Sequence, residues 1–216
     1  DEPYLLLGNH SSMLDPFWSG IYIPRGIKSM ASAAVLNVPY LGAWLKMCGC
    51  FPKMKYTKDR GSMETLQANF DAGYPILLFP EGNRSWDGRL GEVGQGIGRL
   101  IKRMQCKVVF VTLPTASLFQ PRWATYPRWV PVEINYSGPY EYDDTQSAED
   151  IWKDVVEKIT VQPKLLPNRR TFGYKMAHGL PNYLWACPQC FTINGLQVSR
   201  ENGNAIECTH CNSQWT

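Results

Sequence analysis

The sequence predicts an α/β domain followed by a small cysteine-held unit, and two observations carry that expectation. Short apolar runs at 5–7, 76–79, 108–111 and 130–134 alternate with helix-length segments such as 63–71 and 94–104. Two Cys-x-x-Cys pairs, Cys187/Cys190 and Cys208/Cys211, stand near the carboxyl end.

Each element has its own signal. The first run, Tyr4 to Leu7, reads as a buried strand that leads into a polar loop, Asn9 to Asp15. Pro16 suits a first helical turn, so Asp15 is expected as the N-cap of a helix through Ile21. Further helices are expected over 38–47, 63–71 and 94–104. A polar helix over 148–159 repeats Ile151, Val155 and Ile159 at helical spacing behind a Ser147 cap. Residues 162–181, with three prolines and two adjacent arginines, read as a connecting arm. The expected units are a main domain at 1–161, an arm at 162–184 and a terminal unit at 185–216.

Composition bounds the function. With 216 residues, 44% hydrophobic and 19% charged, the chain can bury a substantial core. A net charge of +3 is too mild for the dense basic stripe of a nucleic-acid binder. No run of eighteen apolar residues exists, so no spanning helix is expected. The chain opens without Met or signal peptide and runs straight into a strand, which points to a further segment before it. The cysteine pattern suits metal ligation in a reducing, cytosol-facing compartment.

His10 and Asp15 are the candidate catalytic pair. On a regular helix they would lie about 140° apart, so contact requires a bent backbone, which the residue before Pro16 favours. In contact, Asp15 would orient His10 as a general base acting on an alcohol. Such a pair alone is more often a helix cap beside an ordinary histidine. The second signal is Phe79 to Ser85 at the carboxyl end of a strand, where ligand crevices of α/β sheets form. There Arg84 offers a forked donor for phosphate, Gly82 permits close backbone approach, Asn83 and Ser85 add hydrogen-bonding groups, and Glu81 is a candidate for acceptor hydroxyls.

In order and separation these two stretches resemble the first and third sequence blocks of the glycerolipid acyltransferase family, which includes 1-acylglycerol-3-phosphate acyltransferases. Residues 49–55 stand where the family's middle block lies, with Lys55 in place of the usual arginine and Arg60 as the alternative cation. The run at 108–114 resembles the fourth block, and Asn83 replaces the commonest threonine of the third. The resemblance covers Tyr4 to Ile159. It implies a mixed central sheet flanked by helices. It also implies acyl-CoA or acyl carrier protein as donor, a glycerol-phosphate or lysophospholipid-like acceptor, and peripheral attachment at the cytosolic or inner membrane face. The alternative is a non-catalytic lipid-binding or partner-docking module.

The terminal cysteines match a four-thiolate zinc ribbon, with seventeen residues between the pairs and a hairpin expected through residues 201–203. Four sulfurs imply a structural zinc, with iron the minor alternative; His210 is a spare ligand. Cys48, Cys50 and Cys106 are expected as buried fillers. The ribbon's few cations disfavour nucleic acid and leave stability or protein docking as its role. The stretch 119–129, rich in Trp and Arg, is expected to pack on the domain, with membrane contact second and single-stranded nucleic acid third.

Overall fold

The computed structural model describes residues 2–54, 59–163 and 171–216. In chain order, β1 (Leu5–Gly8) is followed by α1 (Asp15–Trp18), β2 (Lys28–Ser32), α2 (Ala33–Leu36), α3 (Leu41–Met47) and β3 (Cys50–Lys53). Then come α4 (Arg60–Asp71), β4 (Ile76–Leu78), α5 (Gly96–Met104), β5 (Val108–Thr112), α6 (Ala116–Phe119) and β6 (Arg128–Trp129). The chain ends with β7 (Asn135–Tyr140), α7 (Ala148–Ile159), β8 (Phe172–Gly173), β9 (Leu196–Val198), β10 (Ile206–Cys208) and β11 (Gln214–Trp215).

Among the described residues the main sheet has six strands in the order β3-β2-β4-β1-β5-β7. All pairs are parallel except β5 with β7, so the mixed sheet expected from the sequence is present. β1 lies between β4 and β5, with Leu5, Leu6 and Leu7 fully buried. Its pleat sends Leu5 and Leu7 into a core with Leu66, Ile97, Ile101, Ile151, Val155 and Ile159, and Leu6 into a second core with Leu77, Val111, Leu113 and Trp18. A strand buried on both faces has no polar side to show, hence the uninterrupted leucines. Burying each contributes on the order of 1.5–3 kcal/mol.

Helices α4, α5 and α7 cover the first face. A Cβ on Gly98 would fall 2.0 Å from the Ala148 carbonyl oxygen, so only glycine allows α5 to meet α7 this closely. Ser147 caps α7 by accepting from the Asp150 N–H, as its sequence position predicts.

Three expectations differ from the structure. Residues 130–134 form no strand. Pro131 lacks an N–H, and Thr115 Oγ1 bridges the segment by donating to the Pro131 carbonyl and accepting from the Glu133 N–H, while Val132 and Ile134 pack on the second core. The edge strand begins only at Asn135. The helix expected over 38–47 is present as α3 but begins only at Leu41, because the chain turns at Asn37 to Tyr40, with Pro39 in the turn and Tyr40 at φ 61°; the short α2 before the turn is not among the expected helices. Cys48 is exposed, and Cys50 and Cys106 are half-buried.

Downstream, β8 pairs antiparallel with β6, and β9, β10 and β11 form a separate antiparallel sheet. No helix among the described residues is long and apolar enough to cross a membrane.

Candidate active site

Because β1 and β4 are parallel neighbours, the loops that leave their carboxyl ends emerge side by side. The loop after β1 carries Asn9, His10 and Asp15; the loop after β4 carries Phe79 to Ser85. His10 Nδ1 lies 2.9 Å from Asp15 Oδ2. The bend that joins them differs from the expected cap. Leu14 holds the N-cap position of α1, and Asp15 is the first helical residue. Its carboxylate turns back, and Oδ2 accepts the N–H groups of Ser11 at 2.6 Å and Ser12 at 2.8 Å. Asp15 is fully buried, so these donors replace the water lost by Oδ2, while Oδ1 has no hydrogen-bond partner among the described residues. α1 also stops at Trp18 rather than reaching Ile21.

The second loop locks onto the first. Glu81 Oε1 accepts the His10 backbone N–H at 2.6 Å, and Glu81 Oε2 accepts the Gly91 N–H at 2.7 Å. The Ser85 N–H donates to the His10 carbonyl oxygen at 2.8 Å. The His10 ring stacks on Phe79 with centroids 4.3 Å apart. Gly82 sits at φ 67°, in the left-handed region that lets the turn fold back beneath the loop. Burial pushes the Glu81 carboxyl above its ordinary range despite the two N–H donors. Burial also lowers the Arg84 guanidinium, with Arg122 adding like-charge repulsion.

Arg84 is half-buried, with no acceptor for its guanidinium among the described residues. Arg122 reaches in from the long connection after α6: its Nη1 donates to the Arg84 carbonyl oxygen, and its guanidinium covers the Trp86 ring at 4.4 Å. Arg60 makes no hydrogen bond or ion pair with these loops among the described residues. It opens α4, exposed on the rim of a cavity of about 720 Å³ shared with Glu64, Asp71 and Arg103. Lys55 lies outside the described residues. Backbone N–H groups at the start of α1, candidates for holding an oxyanion, are committed: those of Ser11 and Ser12 to Asp15, and those of Phe17 and Trp18 to the Leu14 carbonyl.

Several participants were given no role by sequence reasoning. Asn9 Oδ1 accepts the Leu113 N–H at 2.8 Å, which ties the His10 loop to the end of β5. Gly91 and Arg122 reach the site through the fold, although Arg122 stood in a stretch already read as packing on the domain.

At the other end, the sulfurs of Cys187, Cys190, Cys208 and Cys211 all lie within 4.8 Å of one another. The pairs Cys187–Cys211 and Cys190–Cys208 are each separated by 3.7 Å, too long for a disulfide. Backbone N–H groups of Gln189 and Cys190 point at Cys187 Sγ, and that of His210 points at Cys208 Sγ. The Thr192 hydroxyl and N–H hold the Cys190 thiol down at about 5, whereas burial pushes Cys187 up to about 11.

The sequence profile of the Acyltransferase family matches residues 1–113, just over half of the chain. The chain is 27% identical over 124 residues to the chloroplastic 1-acyl-sn-glycerol-3-phosphate acyltransferase of Arabidopsis thaliana, covering 56% of this chain and 34% of that one. It is 24% identical over 185 residues to the 1-acyl-sn-glycerol-3-phosphate acyltransferase of Saccharomyces cerevisiae, covering 82% and 58%. It thus spans between about a third and three-fifths of the length of these relatives. The crystal structure of the 1-acyl-sn-glycerophosphate acyltransferase PlsC from Thermotoga maritima shares the fold, with a TM-score of 0.58 at 20% identity over 74% of this chain and 64% of that one. A mixed sheet with a His–Asp pair at the carboxyl ends of its central strands is the class of architecture observed. The chain belongs to the Acyltransferase family.

Proposed function

We propose that this chain transfers an acyl group from a thioester donor, acyl-CoA or acyl carrier protein, to a hydroxyl of a glycerol-phosphate or lysophospholipid acceptor. The observation that carries this reading is the buried Asp15 holding His10 by Nδ1, which leaves Nε2 for the acceptor. The acceptor oxygen attacks the thioester carbon while its proton passes to His10 Nε2. Collapse of the tetrahedral species breaks the C–S bond, and the departing sulfur takes that proton. Asp15 stabilises the imidazolium in between. Family membership and the relatives' names support the reaction class.

Arg84 is the proposed holder of the acceptor phosphate, with Arg122 beside it and Lys55 as a further cation. Asn83 and Ser85 line the same turn. Glu81 has both oxygens committed to N–H groups, so we assign it to positioning rather than to acceptor hydroxyls. Arg60, on the rim of its own cavity, is a candidate only for an extended substrate. The four cysteines are proposed to hold a structural zinc, since tetrahedral Zn–S bonds of about 2.3 Å set sulfurs about 3.8 Å apart, close to the 3.7 Å observed.

The test is to replace His10 by Ala and Asp15 by Asn and follow thiol release with a lysophosphatidate acceptor. His10→Ala should lower kcat by about 10²–10⁴ with KM nearly unchanged. Asp15→Asn, which can still accept from the Ser11 and Ser12 N–H groups, should lose activity without unfolding. Undiminished turnover by His10→Ala would refute the catalytic assignment.

A further inference from the structure

From Pro16 through Lys58 the chain carries no Asp or Glu, yet holds Arg25, Lys28, Lys46, Lys53, Lys55 and Lys58. None of the chain's 19 acids falls there, so the rest of the molecule is net acidic and this segment strongly cationic. The same segment exposes large apolar side chains at unusual density. Tyr40 is 92% and Met47 80% solvent-exposed, with Val38 and Trp44 each about half exposed. They sit on α3 and on the turn that joins it to α2. Scattered single exposures are ordinary, whereas a contiguous set on one surface marks a place where something binds.

This surface continues into the site. Trp44 of α3 stacks on Phe17 with centroids 5.1 Å apart, and Phe17 lies two residues beyond Asp15 in α1. Met13, within the His10 loop itself, is 50% exposed. By contrast, the cations of the stretch 119–129 are turned inward onto rings: Arg122 onto Trp86 and Arg128 onto Trp123.

We infer that the α2–α3 surface docks this chain on an anionic phospholipid bilayer, with Val38, Tyr40, Trp44 and Met47 entering the interfacial layer and the exposed Lys46 at the headgroups. Apolar side chains at this depth supply partition energy, and the exposed Lys46 on α3 adds attraction to anionic lipid. The arrangement would bring a membrane-borne acceptor to His10 across Phe17 and Met13. That last step rests on the acyl-transfer reading; the docking does not.

Flotation of the full chain with vesicles of phosphatidylcholine and phosphatidylglycerol in equal parts, against phosphatidylcholine alone, tests the inference. Wild type should float with the anionic vesicles only, less so as salt rises. The double variant Val38→Glu/Met47→Glu should bind roughly tenfold or more weakly. Trp129→Glu, exposed on another surface, should bind as wild type. The double variant should keep its turnover of a short-chain, monomerically soluble acceptor, and His10→Ala should still float; these two controls separate failure of docking from failure of the catalytic reading. Equal flotation by the double variant and wild type, no binding to anionic vesicles, or a lipid-free dimer abolished by the double variant would each overturn the proposal.

Discussion

Glu81 Oε1 accepts the backbone N–H of His10 at 2.6 Å, across 71 residues of sequence. The two loops are therefore one mechanical unit: Asp15 sets the His10 ring, and Glu81 sets the peptide that carries it. With Oε2 on the Gly91 N–H, both carboxylate oxygens act as acceptors in a half-buried setting.

Glu81→Gln should consequently act through His10 position. The amide keeps one acceptor oxygen but presents an NH₂ to one of the two N–H donors, which leaves that donor unpaired at a cost of about 1–3 kcal/mol. The expected result is a lower kcat with an almost unchanged KM for the acceptor. A rise in KM alone would instead place Glu81 in acceptor binding.

Much of this unit was legible as residue types and little of it as contacts. The apolar run at β1, the Ser147 cap of α7 and both loops were readable, because each obeys a local rule of burial, capping or turn chemistry. The clamp from Glu81 to His10 and the Asn9 bond to Leu113 depend on β1 lying between β4 and β5, a topological fact that no local window holds. Asp15 misled because a carboxylate before Pro at a helix start ordinarily caps forward, whereas here it accepts from N–H groups that precede it. Val130 to Ile134 has strand composition, but Pro131 and the Thr115 bridge make it a packed crossing.

Arg122 offers a test of the phosphate assignment. Its guanidinium is fixed by the Trp86 ring and the Arg84 carbonyl, so it places a second positive charge beside Arg84. Arg122→Gln should raise KM for a phosphorylated acceptor by roughly tenfold, about the loss of one charge-assisted hydrogen bond, and lower kcat little. A dephosphorylated acceptor analogue should not distinguish the variant from wild type. If it does, Arg122 supports the loop and not the phosphate.

Asp59 supplies a pH dependence. Its carboxylate accepts from the Ser62 side chain and from the N–H groups of Met54 and Ser62, which holds its pKa down at about 2. It thereby ties the end of β3 to the start of α4, on either side of residues 55–58. The folded value lies below the ordinary carboxylate value of about 3.9, so the stabilisation is complete above that value and is lost as pH falls through about 2. Asp59→Asn should flatten the acid limb of the unfolding midpoint between about pH 4 and pH 2, measured by circular dichroism in urea. Superimposable limbs for variant and wild type would exclude the cap as the source.

The terminal cysteines bear on whether metal takes part in the chemistry. Four cysteine sulfurs within 4.8 Å of one another would fill all four positions of a tetrahedral zinc, leaving none for a water or a carbonyl, so zinc held there would fold the ribbon and would not activate a substrate. The small sheet around them is assembled on the same residues: Cys187 and Cys208 are themselves part of the buried cluster with Leu196 and Ile206. Removing the metal should therefore unfold the ribbon locally, because its binding energy is folding energy. Purified chain should contain about one zinc per molecule, and Cys208→Ser should lose it. Chelation should shift the fluorescence of Trp185 and Trp215 while thiol release at the His10 site continues. Turnover that falls in proportion to metal content, with the main domain still folded, would contradict a structural role.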